Sequence, residues 1–148
     1  MSLTYKGQNL YIDNTKINSI AKKNITPFYV YSLKKIKENY QSFSNYFKSV
    51  KPLICFSVKS NSNVSIISEL AKLGSGADVV SEGELLKALK AKVKPSKIVF
   101  SGVGKTENEL RTAIRKKVFL INIESESEAR LINKISKKMG QITSIGIR

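Results

Sequence analysis

The chain reads as an α/β protein in which parallel β/α units follow one another, about five strands in all. Three observations predict this. Short apolar strand patterns recur from residue 54 onward at a nearly constant spacing of roughly twenty residues. Helical stripes fill the gaps between them, and three of the helix starts repeat the same capping chemistry.

The opening is different. Thr4–Asp13 reads as a short hairpin-like pair with Lys6-Gly7-Gln8-Asn9 as its turn. Thr26-Pro27-Phe28-Tyr29-Val30-Tyr31 reads as a strand, and its Thr-Pro start suits a strand entry. Ser32 then caps a helix through Phe47 whose Ile36, Tyr40, Phe43 and Phe47 share a face. This opening is expected to belong to another structural unit.

The repeating part predicts strands at Ile54–Val58, Ala77–Val80, Lys97–Ser101, Phe119–Ile123 and Thr143–Arg148. Between them Val64, Ile67, Leu70 and Ala71 form one helical stripe, and Leu85, Leu86 and Leu89 a second. Leu110, Ala113 and Ile114 make a third, and Ala129, Ile132, Ile135 and Met139 a fourth. Ser81-Glu82-Gly83-Glu84, Thr106-Glu107-Asn108-Glu109 and Ser125-Glu126-Ser127-Glu128 fit a capping box: the hydroxyl takes an orphan N–H while the glutamate reaches back. Gly74 and Gly140 stand where helices end, and Pro95 marks a turn before a strand.

Side-chain alternation then selects candidates. Ile54, Phe56 and Val58 fall on one side of the first strand, Cys55, Ser57 and Lys59 on the other. If the Ile/Val/Phe faces pack on helices, Lys59, Asp78, Asn122, Glu124 and Arg148 gather inside a β/α barrel or at its C-terminal rim, where barrel active sites sit. A lysine held in a confined, partly desolvated place loses pKa, and a neutral amine attacks carbonyls, so Lys59 suggests Schiff-base chemistry. The competing reading is a strand-end lysine snorkelling to solvent. Glu124 reads equally as capping chemistry, and Asn122 as a satisfied core polar group.

Composition bounds the function. The length suits one ordinary domain, and no apolar run approaches a membrane span. The start lacks the apolar core of a secretory signal, and one cysteine, Cys55, makes no internal disulfide; a cytoplasmic address is expected. With no histidine, Ser-His-Asp, Cys-His and histidine-ligated metal chemistry are excluded within these residues, and no metal site is expected. The net charge of +15 invites a nucleic-acid reading. Lysine far outnumbers arginine, however, and the lysines are scattered rather than gathered in a stripe, so no specific nucleic-acid binding is expected.

Ser101-Gly102-Val103-Gly104-Lys105-Thr106 follows a strand and opens a helix, as a phosphate-binding loop does. The P-loop pattern requires glycine where Val99 stands, so the plainer reading is a tight β/α turn.

Taken in order, Thr26–Tyr31, Phe56-Ser57-Val58-Lys59-Ser60-Asn61, Leu73-Gly74-Ser75-Gly76-Ala77-Asp78-Val79-Val80-Ser81-Glu82-Gly83-Glu84-Leu85, Ile98–Thr106 and Asn122-Ile123-Glu124-Ser125-Glu126 resemble the N-terminal portion of the diaminopimelate decarboxylases. These are fold-type III pyridoxal-phosphate (PLP) enzymes. The resemblance implies a partial, truncated TIM-type β/α barrel over 32–148, preceded by segments at 1–31 that belong to the family's second, β-rich domain. It implies that Lys59 carries PLP through a Schiff base and that Asp78, Glu84 and Arg148 also bind the cofactor. Arg148 would stand beside Lys59, held by Asp78. The implied reaction converts meso-2,6-diaminopimelate to L-lysine and CO₂, in a homodimer of the full-length enzyme. The glycine-rich phosphate grip, a glutamate facing the pyridine nitrogen and a histidine over the ring would lie in later segments, so these 148 residues alone are expected to be inactive. The rival readings are another fold-type III decarboxylase acting on a basic amino acid or polyamine precursor, and a non-catalytic PLP-binding module.

Overall fold

A computed structural model describes residues 3–148, which divide into two units, 3–46 and 47–148. In the first, β1 (Leu3–Lys6) and β2 (Asn9–Ile12) form the expected antiparallel hairpin, with Leu3 opposite Ile12. Gly7 in its turn has φ +59°, a left-handed conformation that costs a residue with a Cβ. β3 (Thr15–Lys16) pairs with β2 and runs into the short helix α1 (Ile17–Ala21). Ser32 is buried and does two jobs. Its hydroxyl donates to Asp13 Oδ2 at 2.7 Å and accepts the Lys35 N–H at 3.0 Å, which caps α2 (Leu33–Tyr46) as expected.

The strand expected over Thr26–Tyr31 does not form. The segment has no ladder partner among the described residues, and Tyr29 and Tyr31 are exposed and stacked on each other, centroids 6.3 Å apart. Apolar, β-branched composition favours a strand, but a strand exists only when another segment takes up its N–H and C=O groups.

The second unit is the repeating one. β4 (Cys55–Ser57), β5 (Gly76–Val79), β6 (Ile98–Phe100), β7 (Leu120–Ile123) and β8 (Ile145–Ile147) form one sheet in sequence order, every pairing parallel. The helices α3 (Val64–Lys72), α4 (Glu82–Lys90), α5 (Glu107–Arg115) and α6 (Glu126–Lys138) connect them. Strand order without reversal, with each helix packed on the next, is the winding of a barrel wall rather than of a doubly wound sheet.

The core lies between the helices and one face of the sheet. Val58, Ala77, Val79, Ile98, Phe100, Ile121 and Ile123 meet Ile67, Leu85, Leu110, Ile114, Ile132 and Ile135 there. Gly74 and Gly140 follow α3 and α6 at φ +98° and +62°, as expected of helix-ending glycines.

Only one of the three capping boxes is reciprocal. At α5 the Thr106 hydroxyl accepts the Glu109 N–H while Glu109 Oε2 accepts the Thr106 N–H at 2.9 Å. At α4 and α6 the glutamate reaches one residue further back: Glu84 Oε2 takes the Val80 N–H at 2.9 Å, and Glu128 Oε2 takes the Glu124 N–H at 2.8 Å. Ser81 and Ser125 sit with φ near −155°, so their extended backbone turns a different N–H toward the carboxylate than Thr106 does at φ −74°.

Candidate active site

The candidate lysine stands just beyond β4. The strand ends at Ser57, and Val58–Ser60 form a 3₁₀ turn. Val58 is wholly buried and anchors this turn in the core. Ser60 Oγ donates to Ser57 O at 2.7 Å and the Asn61 N–H to Val58 O at 3.1 Å, while Asn61 Oδ1 accepts the Asn63 N–H at 3.0 Å. Asn63 then caps α3. The backbone around Lys59 is therefore held from both sides. Its side chain is exposed, contrary to the expectation of a confined amine. Strand alternation stops at Ser57, and the tight turn swings Lys59 away from the packed face that buries Val58.

The inner face of the sheet carries a polar row. Register sets Ser57 beside Asp78 and Asn122 beside Gly146. Ser101 Oγ donates to Asp78 Oδ1 at 2.6 Å, and Asn122 Nδ2 donates to Ser101 Oγ at 3.0 Å. Three neighbouring strands are thus joined side chain to side chain on the face away from the helices. Gly146 is required by this row, since a Cβ there would lie 2.4 Å from Asn122 Oδ1. Cys55 belongs to the same face. Burial, reinforced by the Asp78 carboxylate, pushes its thiol up, which makes it a poor nucleophile.

The other expected residues divide. Asp78 and Asn122 come together through Ser101, as the inward pattern requires. Arg148 pairs with Glu124 at 3.4 Å, not with Asp78, whose bond is to Ser101. The Arg148 side chain is 70 % exposed, so this pairing is a loose one. Glu84 spends one oxygen on the Val80 N–H at the start of α4.

Sequence reasoning passed over Lys105. Its ammonium is buried and uses all three protons: it donates to Gly102 O at 2.7 Å, Asn122 O at 2.6 Å and Glu128 Oε1 at 2.9 Å. It also lies 5.9 Å from the Phe100 ring. The loop that resembles a phosphate cradle is therefore closed on itself by its own lysine. The legible signal was the pair Gly102 and Gly104; in the structure they adopt φ +95° and +67°, left-handed conformations that turn the loop after β6 back on itself.

Carboxylates also stand at the helix starts of this rim. Glu84, Glu109 and Glu128 accept the Val80, Thr106 and Glu124 N–H groups just ahead of α4, α5 and α6. Glu109 also accepts the Glu82 N–H at 3.1 Å, and Thr112 donates to Glu82 Oε1 at 2.7 Å, which laces α4 to α5. A 250 Å³ cleft beside the Lys105–Glu128 pair is lined by Gly104, Glu124, Ser125 and Leu131. A larger one, 410 Å³, opens between α5 and the Gly140–Ser144 loop that precedes β8. It adjoins the N-terminal end of that strand, whereas Lys59 and Glu124 follow the C-terminal ends of theirs.

Residues 33–148 match the family described as "Pyridoxal-dependent decarboxylase, pyridoxal binding domain". The chain belongs to this family. Diaminopimelate decarboxylase of Helicobacter pylori is 49 % identical over 123 residues, 83 % of this chain and 30 % of that protein. The Aquifex aeolicus diaminopimelate decarboxylase is 40 % identical over 146 residues, 99 % of this chain and 34 % of that protein. The crystal structure of the M. jannaschii diaminopimelate decarboxylase with L-lysine superimposes with a TM-score of 0.95 at 36 % identity, over 99 % of this chain and 35 % of that one. The chain thus spans about a third of the length of these decarboxylases. The matches agree with the sequence resemblance and with a partial barrel of five parallel strands.

Proposed function

We propose that this chain supplies the lysine-bearing part of a pyridoxal-phosphate site in an enzyme that decarboxylates meso-2,6-diaminopimelate to L-lysine and CO₂. The observation that carries the reading is Lys59 itself. Among the described residues its amine has no hydrogen bond or ion pair, on a backbone turn locked from both sides, beside a strand whose inner face presents a polar row. A free primary amine and a hydrogen-bonded carboxylate fit the carbonyl end and the polar ring of such a cofactor. When bound, the cofactor supplies an electron sink for the pair released as CO₂ leaves.

The chain's own residues divide the work. Lys59 would hold the cofactor through its amine. Asp78, oriented by Ser101, supplies negative charge on the inner wall, and Glu84 stands behind it at the start of α4. Arg148, loosely held by Glu124, is free to reorient toward an anionic group. The phosphate is a different matter. The Glu84, Glu109 and Glu128 carboxylates on the N–H groups just ahead of α4, α5 and α6 put negative charge at these helix starts, which disfavours an anion there. We therefore assign the phosphate to residues outside 1–148.

The family match beginning at residue 33 supports the division into residues 1–31, joining a second β-rich domain, and 32–148, the barrel portion. L-lysine in the M. jannaschii structure supports an amino-acid ligand for this family site. A cytoplasmic homodimer completes the reading; no helix among the described residues is long and apolar enough to cross a membrane.

Borohydride reduction in the presence of pyridoxal phosphate, followed by peptide mass mapping, tests the assignment. The expected product is one label on Lys59. Label spread evenly over the surface lysines, or none, would overturn it.

A further inference from the structure

We infer that Lys105 is a positioning residue, whose buried ammonium sets the inner-face row Asp78–Ser101–Asn122 and the Glu124 carboxylate in place. The inference deepens the proposed function and rests on it only where the cofactor is the probe. Its basis is connectivity. Lys105 holds the carbonyl of Gly102, next in chain to Ser101, and the carbonyl of Asn122 itself. Ser101 and Asn122 are the two residues that pass the hydrogen-bond chain to Asp78. Its third proton goes to Glu128, whose other oxygen holds the Glu124 N–H, and Glu124 is the partner of Arg148. One ammonium thus fixes the backbone under three of the polar side chains that line the inner face and its rim.

The electrostatics explain why a lysine serves here. The Lys105 and Glu128 side chains are 1 % and 9 % exposed, so neither charge is compensated by water. A buried cation with three good acceptors is stiff, because leaving any one of them strands a charge or a carbonyl. That stiffness reaches both β/α loops at once. An apolar side chain of equal volume would fill the space and hold neither carbonyl.

The test separates positioning from simple stability. Lys105→Met/Glu128→Met removes both charges together and keeps volume, so no buried charge is stranded, and the 148-residue chain is expected to lose less thermal stability than Glu128→Ala, which strands one. Hydrogen exchange at the Asn122 side-chain amide is expected to rise about tenfold or more, with the amides at the β5–β6 ladder unchanged. Unchanged protection at the Asn122 side-chain amide would overturn the inference. Should the double variant not fold, Glu128→Gln, which keeps an acceptor but removes its charge, is read in the same way.

In folded wild type, acetic anhydride should modify Lys105 about a hundredfold more slowly than Lys59, since only a transient opening exposes it. Equal rates would also overturn the inference. Pyridoxal phosphate with borohydride probes the proposed function separately, through labelling of Lys59. A wild-type chain that never labels Lys59 would count against the proposed function, while the exchange and acetylation results would still decide the role of Lys105.

Discussion

Lys59 and Lys105 lie a few residues beyond the C-terminal ends of β4 and β6, two strands of one sheet, and they meet opposite fates. Lys59 sits in a 3₁₀ turn with its amine in solvent and unengaged, while its neighbour Val58 takes the buried place. Lys105 sits in a loop of similar length that two left-handed glycines fold inward, and there it meets two carbonyls and a carboxylate. The first is available for covalent chemistry and contributes little to stability. The second is unavailable for chemistry and contributes to the order of the rim. The residue type settles neither outcome; the direction of the loop backbone settles both.

The contrast is broken most sharply by stranding one charge. Glu128→Ala leaves the Lys105 ammonium buried without its anion, and a loss of about 3–5 kcal/mol is expected in urea unfolding. A loss below about 1 kcal/mol would show that water replaces Glu128 and that the site is open.

Acid should sharpen the same contrast. The Thr106 backbone N–H holds the Glu109 carboxyl below its ordinary value, helped by the Thr106 hydroxyl and the nearby Lys105 charge. A depressed folded-state pKa means that the stabilisation is present above the unfolded carboxylate pKa and is lost as pH falls through the folded one. Wild type should therefore exceed Glu109→Gln in stability at neutral pH, and the gap should close on acidification through the carboxylate range. A gap independent of pH would place the effect in shape rather than charge.

The smallest effect belongs to the other lysine. Lys59→Met is expected to change unfolding stability by no more than about 0.5 kcal/mol, since the side chain is exposed and its amine has no hydrogen bond or ion pair among the described residues. A larger loss would mean that Lys59 has a structural partner and would weaken its reading as a free amine.

The five strands, the four helices behind them and the inward set of Asp78 and Asn122 were legible in the sequence, because period and cap chemistry are local properties. So was the identity of Lys59 as the candidate, through alternation and then through the ordered motifs. Its exposure was not legible, since alternation carries no information past the end of a strand. The strand expected over Thr26–Tyr31 failed for a related reason: its composition is local, but its partner is not.

By itself the sequence determined the order of elements, the family and the residues able to do chemistry, because each depends on spacing along the chain. The tertiary structure alone decided which lysine is free and which is bound, that Ser101 joins Asp78 to Asn122, and that Glu124 rather than Asp78 takes Arg148. Those outcomes depend on distances between residues some twenty apart in sequence, which only the parallel register of the sheet brings within a hydrogen bond.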